Sequence, residues 1–145
     1  MGTMQDFGGA KVALFFQGSL IVYLRDTKPG LDFANKWDFP GGGREADETP
    51  VECAAREIEK EFGLSLKPEA FVWEKQFQGI TDSTTINYFL VAHIGKQEFA
   101  AIRFGLEGQY WQLMSVDDFL SHEEAVPILQ TRLQDYLDSR NEAAA

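Results

Sequence analysis

The spacing of apolar residues changes twice along the chain. Residues 11–18 and 20–25 form two apolar, β-prone runs that meet at Gly18 and Ser19, which predicts a β-hairpin. Residues 49–62 carry apolar side chains at the spacing of one helix face, and strand-like runs return at 70–78 and 84–94, separated by a turn at 81–83. We also predict a loop over 26–36, strands over 37–40 and 109–114, a short helix over 116–120 and a closing helix over 126–139. This order predicts one α/β domain over residues 1–145, with a mixed sheet flanked by helices.

The helix at 49–62 has the most complete boundary signals in the chain. Thr49 suits the N-cap, Pro50 suits the first helical position, and Glu52 completes a capping box with Thr49. Gly63 is expected to end the helix, because glycine readily adopts the left-handed conformation just past a helix C-terminus.

Two acidic residues of this helix, Glu57 and Glu61, lie ~40° apart at the edge of its apolar stripe. Their like charges repel each other unless something positive lies between them. Mg²⁺ prefers oxygen ligands and is commonly held by one or two carboxylates together with substrate phosphates. An isolated pair of this kind usually belongs to a solvated helix face, so its meaning depends on the residues around it.

Composition and charge narrow the range of partners. The chain of 145 residues has 13 basic and 23 acidic residues and a net charge of −10, which argues against a nucleic-acid backbone or an anionic membrane as the main partner. Cys53 is the single cysteine, so no internal disulfide can form. We find no apolar run of the ~18 residues that a membrane span needs and no signal peptide, and we expect a cytoplasmic protein. Residues 1–4 and 142–145 are expected to be disordered or added by cloning.

The surroundings of the acidic pair resemble the Nudix box, whose pattern is G-x5-E-x7-R-E-U-x-E-E-x-G-U with U an aliphatic residue. The matching positions are Gly42, Glu48, Arg56, Glu57, Ile58, Glu61, Gly63 and Leu64. Residues 34–42 and 107–115 also resemble the segments beside the box in MutT-type members, which remove oxidised nucleoside triphosphates from the nucleotide pool. The chain is therefore similar to MutT-like Nudix hydrolases over most of its length.

This resemblance implies the Nudix fold, an α/β/α sandwich around a mixed sheet, and a hydrolase that acts on the diphosphate (acid anhydride) bonds of nucleotides. It implies that Mg²⁺, with Mn²⁺ as a possible substitute, is bound by Glu57, Glu61, Glu107 and the carbonyl of Gly41. Either Glu57 or Glu107 would take a proton from the attacking water. Arg56 would also take part in catalysis by orienting a glutamate.

The remaining box positions are expected to be structural. In particular, Glu48 would pair with Arg56, while Gly42 and Gly63 would shape the backbone. Outside the box, Arg25 matches a position that holds substrate phosphate in MutT-type enzymes, with an ordinary surface arginine as the alternative. Phe39 is a candidate for stacking on a base, although an aromatic residue in a strand more often packs in the core.

Lys60 departs from the family pattern, because the family has a glutamate at this position. The change replaces a negative charge with a positive one and should weaken at least one metal site. Lys60 is either a substrate-binding residue that reaches a phosphate, or the mark of an enzyme of low activity or of a domain that binds nucleotides without hydrolysing them.

The resemblance favours cleavage of a nucleoside triphosphate, with oxidised purine nucleotides among the candidates, to a monophosphate and pyrophosphate. MutT-type members that recognise an oxidised guanine use an asparagine near the start of the last helix, and residues 121–127 contain none. The alternatives are hydrolysis of another nucleoside diphosphate derivative, such as a nucleotide sugar or dinucleotide, and a non-catalytic nucleotide-binding domain.

Overall fold

The computed structural model of the protein describes residues 6–79 and 85–144, with side chains as far as residue 141. The turn expected at 81–83 and the terminal residues 1–4 and 145 lie outside the described residues. No helix in the described part of the chain is long and apolar enough to cross a membrane.

Strands and helices follow the predicted order along the chain. The strands are β1 (Gly9–Phe16), β2 (Ser19–Leu24), β3 (Trp37–Asp38), β4 (Gly41–Gly43), β5 (Phe71–Gln78), β6 (Ile86–His93) and β7 (Trp111–Ser115). The α-helices are α1 (Pro50–Phe62), α2 (Lys96–Ala100), α3 (Val116–Ser121) and α4 (Pro127–Ala144), and a 3-10 turn covers Pro68–Ala70.

The strands form one mixed sheet in which β1 is central. The order of the main path is β3-β2-β1-β6-β5, while β4 pairs with β1 and β7 pairs with β2. Strands β1 and β6 run parallel, with Val12 opposite Leu90, and the other pairs are antiparallel. Along its length β1 changes partner, pairing with β4 at Gly9–Lys11 and with β2 at Phe15 and Phe16.

Alternate residues of the central strands pack on opposite faces of the sheet, as the period of two requires. Val12 and Leu14 face a cluster that includes Ile58 and Phe62 of α1. Ala13 and Phe15 face a second cluster to which α3 and α4 contribute Phe119, Leu129, Leu133 and Tyr136. Helices therefore cover both faces of the sheet, and the predicted α/β/α sandwich around a mixed sheet is confirmed.

The predicted boundaries of α1 are confirmed. Thr49 Oγ1 accepts a hydrogen bond from the Glu52 backbone N–H at 3.1 Å, and the Glu52 carboxylate accepts one from the Thr49 N–H at 2.9 Å. Gly63 follows the helix with φ of 69°, in the left-handed region. These signals act within one helical turn, which is why the sequence alone could predict them.

Other local details differ from the prediction. The hairpin turn consists of Gln17 and Gly18 rather than Gly18 and Ser19, because Ser19 already pairs with Phe16. Helix α2 was not predicted, since five residues are too few to establish a helical period. Strand β4 consists only of glycines, which have low intrinsic preference for strands.

Candidate active site

Glu57 and Glu61 lie on the buried face of α1, and each exposes only 6% of its surface. Cys53, one turn before Glu57, is fully buried on the same face, and burial raises the pKa of its thiol to about 11. The two carboxyl groups therefore belong to the packed side of the helix and not to a solvated face.

Glu61 lacks a nearby charge that fully compensates its own. Its Oε1 accepts a hydrogen bond from the Gly41 N–H at 2.9 Å. Burial raises the pKa of Glu61 to about 8, the negative charges of Glu57 and Asp38 act in the same direction, and Lys11 and the Gly41 N–H oppose them. Without a further cation, Glu61 is mostly protonated at neutral pH.

Arg56 compensates the other carboxyl group and connects it to the loop before the helix. Its Nη1 donates to Glu57 Oε1 at 3.1 Å, and its Nε donates to Glu48 Oε2 at 2.7 Å. Its Nη2 donates to the carbonyl of Gly43 at 2.7 Å. The hydrogen bond from Arg56 holds the pKa of Glu48 below its usual value. The structure thus contains the expected Arg56–Glu48 pair and places Glu57 beside it.

The glycines of β4 allow the backbone to lie against these carboxyl groups. A Cβ atom at Gly42 would approach Glu57 Oε1 to 2.6 Å, and one at Gly41, where φ is 140°, would overlap the carbonyl oxygen of Ala10. Any other residue at these positions would displace either β1 or the helix carboxyl groups.

Glu107 is held by Lys60 rather than by the helix pair. The distance from Lys60 Nζ to Glu107 Oε1 is 3.1 Å, and both side chains are more than half exposed. The hydrogen bond to Glu107 raises the pKa of Lys60, and the negative charges of Glu57 and Glu61 add to this effect. The ammonium group therefore lies in the combined field of all three predicted acidic ligands.

The described residues assemble only part of the expected metal site. Within residues 6–79 and 85–141, no group of three or more His, Cys, Asp or Glu side chains is close enough to hold a metal ion. Glu57, Glu61 and the Gly41 backbone come together, whereas Glu107 is paired with Lys60. The helix pair nevertheless fits a divalent cation, because positive charge there would stabilise the ionised form of Glu61.

A cavity of about 370 Å³ lies next to this cluster, between β1, β6, the loop after β2 and the start of α4. The residues that line it are Gly8, Gly9, Ala10, Lys11, Arg25, Asp32, Phe33, Asp38, Gly42, Gly43, Asn87, Tyr88, Val126, Ile128, Leu129 and Arg132. Gly42 and Gly43 belong to the glycine strand that contacts the helix carboxyl groups, so the cavity and the acidic cluster share a wall.

A buried aspartate positions two cationic side chains at this cavity. Asp38 Oδ2 accepts hydrogen bonds from Lys11 Nζ at 2.8 Å, Arg25 Nη1 at 2.9 Å and the Tyr23 hydroxyl at 3.1 Å. Burial disfavours the charged form of Asp38, but Lys11 and Arg25 outweigh it and hold the pKa of Asp38 below its usual value. Two positive groups on one carboxylate leave a net positive charge at the cavity wall.

The structure separates the substrate-binding candidates. Arg25 lines the cavity, where its Nε also donates to the carbonyl of Asp32 at 3.0 Å. Phe39 has no exposed surface and stacks on Phe119 with ring centroids 4.4 Å apart. The interpretation of Phe39 as a base-stacking residue is therefore corrected to a core residue, since its ring cannot reach a ligand.

Lys11, Asp38 and Arg132 are among the cavity residues to which the sequence analysis assigned no function. Lys11 and Asp38 are 27 residues apart in the chain and meet only through the pairing of strands. A lysine such as Lys11 is unusual in the apolar run of a central strand, and this was the only feature of the sequence that could have indicated a functional role for it. Arg132 lies in a predicted amphipathic helix and carried no distinguishing pattern.

The fold and the carboxylate-bearing helix define the class of protein. The chain belongs to the Nudix family, because residues 9–135 match the family model of the NUDIX domain. It is 36% identical over 93 residues to the 8-oxo-dGTP diphosphatase of Haemophilus influenzae, covering 62% of this chain and 64% of that relative. It is 45% identical over 56 residues to phosphatase NudJ of Escherichia coli K12, covering 39% of this chain and 36% of that relative. In both cases the match spans less than two thirds of the relative's length.

Solved structures show the same fold at lower identity. The MutT protein of Methanosarcina mazei Go1 has a TM-score of 0.71 and 20% identity, and the match covers 97% of this chain and 99% of that one. A bifunctional NMN adenylyltransferase/ADP ribose pyrophosphatase from Francisella tularensis, complexed with AMP and a manganese ion, has a TM-score of 0.74 and 17% identity. That match covers 93% of this chain and 42% of the other.

The raised pKa of Glu61 predicts how stability depends on pH when metal ions are chelated. Between the usual value of 4.5 and about 8, the folded protein holds a proton that the unfolded chain has already lost. The free energy of unfolding therefore falls as pH rises through this window, by up to about 5 kcal/mol. Urea unfolding of the wild type and Glu61→Gln across the window measures this fall, which the variant should lack because its amide is neutral at every pH. Parallel curves for the two proteins would show that Glu61 titrates normally.

The Lys60–Glu107 pair predicts that the lysine opposes binding of a divalent cation. Lys60→Gln frees Glu107 and removes a positive charge, so it should tighten Mn²⁺ binding several-fold in calorimetric titration, and Lys60→Glu should tighten it further. Lys96→Glu on α2 makes the same change in net charge as Lys60→Glu and serves as the control. If Lys60 instead grips a substrate phosphate, both variants will raise the KM for nucleotide and leave Mn²⁺ affinity unchanged.

Proposed function

We propose that this protein hydrolyses a nucleoside triphosphate to a nucleoside monophosphate and pyrophosphate with a divalent metal ion, Mg²⁺ or Mn²⁺. The observation that carries the proposal is the buried pair Glu57 and Glu61, which shares the β4 wall with a cavity that presents Lys11 and Arg25. Strand β4 thus lies between the carboxyl pair, which lacks compensating positive charge, and the Lys11–Arg25 cluster, which has positive charge in excess. A polyphosphate bridged to carboxylates by a cation suits such a surface.

The metal ion would be held by Glu57, Glu61, the carbonyl of Gly41 and, after release from Lys60, Glu107. When bound, it would supply positive charge against the phosphate oxygens and make a water molecule a stronger nucleophile at neutral pH.

Lys11 and Arg25 would contact the phosphate oxygens. Asp38 holds both side chains in place before substrate binds, so little reorganisation is needed when negative charge builds up in the transition state. Arg25 also donates to a carbonyl in the loop after β2, which fixes the guanidinium from a second side.

The attacking water needs a group that takes its proton while its oxygen bonds to phosphorus and pyrophosphate leaves. Glu57 suits this role, because Arg56 binds its Oε1 and no described residue hydrogen-bonds to its Oε2. Glu107 is the alternative base, and it would first have to leave Lys60. The proton would pass to one of these carboxylates, and the water oxygen would remain on the phosphate that is attacked.

A second candidate is a domain that binds nucleotides without cleaving them, and the Lys60–Glu107 ion pair favours it. In that case the ammonium group would permanently replace a cation among the acidic residues. Nucleotide sugars and dinucleotides are the alternative substrates for a hydrolase with this site, and the same product assay separates all three cases.

We predict that Glu61→Gln lowers kcat by more than about 10²-fold, or about 2.7 kcal/mol, because the amide cannot supply the charge that a cation needs. The fold should persist, since glutamine has the shape of the protonated carboxyl that the metal-free protein contains. Glu59→Gln, on the exposed side of the same helix, is the matched control and should keep the wild-type rate.

The measurement is chromatographic analysis of products from a panel of nucleoside triphosphates, nucleotide sugars and dinucleotides with Mg²⁺. Equal loss in both variants, or an active Glu61→Gln protein, would remove the helix pair from the mechanism. Absence of turnover with every compound, together with measurable nucleotide binding, would favour the binding domain.

A further inference from the structure

Arg132 on α4 is a buried arginine without a carboxylate partner among the described residues. Only 3% of its surface is exposed, and it forms part of the cavity wall. Its Nη2 donates to the carbonyl of Gln78 at 3.1 Å, and its Cζ lies 4.9 Å from the centroid of the Phe77 ring. Its Nε is buried and has no hydrogen-bond partner in the described part of the chain.

This state is unlike that of the other arginines that are partly buried. Arg25 pairs with Asp38, Arg44 with Asp6 and Arg56 with Glu48. Burial lowers the pKa of Arg132, and no negative group among residues 6–79 and 85–141 offsets this effect. A guanidinium group remains charged and can only donate hydrogen bonds. A buried one with an N–H that no described residue accepts can therefore donate to an acceptor on a ligand.

The cavity around Arg132 suits a flat ring better than a phosphate. Its walls include the apolar side chains of Val126, Ile128 and Leu129 at the start of α4, and the half-buried ring of Tyr88. A phosphate placed here would leave several charged oxygens against apolar surface, whereas a nucleobase would bury its faces and present only its edge. Lys11 and Arg25 supply the phosphate-binding charge elsewhere on the same wall.

We propose that Arg132 binds a carbonyl oxygen on the edge of the nucleobase and makes the site selective for keto bases. Guanine, hypoxanthine and uracil present such acceptors, and arginine commonly binds the paired acceptors of a guanine edge. Adenine and cytosine carry an amino group at the corresponding position, which would place an N–H donor of the base against an N–H donor of Arg132. The proposal names the substrate class of the hydrolase proposed above and rests on nucleotide binding at this cavity.

The first test needs no variant. The affinities of inosine 5′-monophosphate and adenosine 5′-monophosphate, which differ at the 6-position, are compared by calorimetry on the wild-type protein with metal ions chelated. Inosine monophosphate should bind at least about tenfold more tightly, and uridine monophosphate should likewise exceed cytidine monophosphate. Equal affinities, or tighter binding of the amino bases, would overturn the proposal.

Variants then assign the preference to Arg132. Arg132→Met keeps much of the side-chain volume and removes the donors, so it should abolish the difference between the two purine nucleotides. Arg140→Met, in the same helix but exposed, is the matched control and should preserve the preference. If Arg132→Met does not fold, Arg132→Lys keeps a donor and should retain a reduced preference.

Two further outcomes distinguish base recognition by Arg132 from phosphate binding by Arg132 and from the hydrolase proposal itself. If Arg132→Met weakens inorganic pyrophosphate binding as much as inosine monophosphate binding, the residue holds a phosphate and the base assignment is wrong. If the keto preference holds in binding but no nucleotide is hydrolysed with Mg²⁺, the hydrolase proposal fails and the role of Arg132 stands.

Discussion

The burial of Glu57 and Glu61 on one face of α1 is the constraint around which the site is organised. Burying a carboxylate is costly unless a nearby cation or several hydrogen bonds compensate it. Arg56 compensates Glu57, and its other donors reach Glu48 and the backbone of Gly43. Glu61 accepts a hydrogen bond from the Gly41 N–H and is also favoured by the charge of Lys11, but burial outweighs both and raises its pKa to about 8. The glycines of β4 let the backbone approach the two carboxyl groups, and Arg56 supplies the hydrogen-bond donors beside them.

On the cavity side of β4, the charge balance has the opposite sign. Asp38 is buried but is compensated by both Lys11 and Arg25, which leaves one positive charge in excess. The two clusters are coupled, because Lys11 and Asp38 both influence the ionisation of Glu61. A cation at the helix pair and a polyphosphate at the cavity would therefore each reduce an imbalance that the protein alone leaves in place.

Local signals made much of the fold predictable. The caps of α1, its buried stripe and the spacing of the box residues depend on neighbours within a few turns, and the structure reproduces them. The order of the elements predicted a mixed sheet flanked by helices, and the resemblance implied the α/β/α sandwich. The error at Phe39 has a physical cause, since an aromatic residue beside the glycine strand can face either the ligand or the core, and only packing against Phe119 decides between them.

The rest of the site depends on contacts between distant parts of the chain. Lys11, Arg25 and Asp38 come together because β1, β2 and β3 are adjacent in the sheet, which no spacing in the sequence expresses. The unpaired state of Arg132 is likewise a property of its surroundings, because an arginine in an amphipathic helix ordinarily faces solvent. The Lys60–Glu107 pair joins two positions that the resemblance treated separately, one as a departure from the box and the other as a ligand.

We infer that Glu61 holds a proton which a divalent cation must displace. Calorimetric titration with Mg²⁺ at neutral pH, repeated in buffers with different ionisation enthalpies, measures the number of protons released per bound ion. We expect release of about one proton in the wild-type protein, affinity that rises with pH until the pKa of Glu61 is passed, and no release from Glu61→Gln. Tight Mg²⁺ binding without proton release, at an affinity independent of pH, would contradict it.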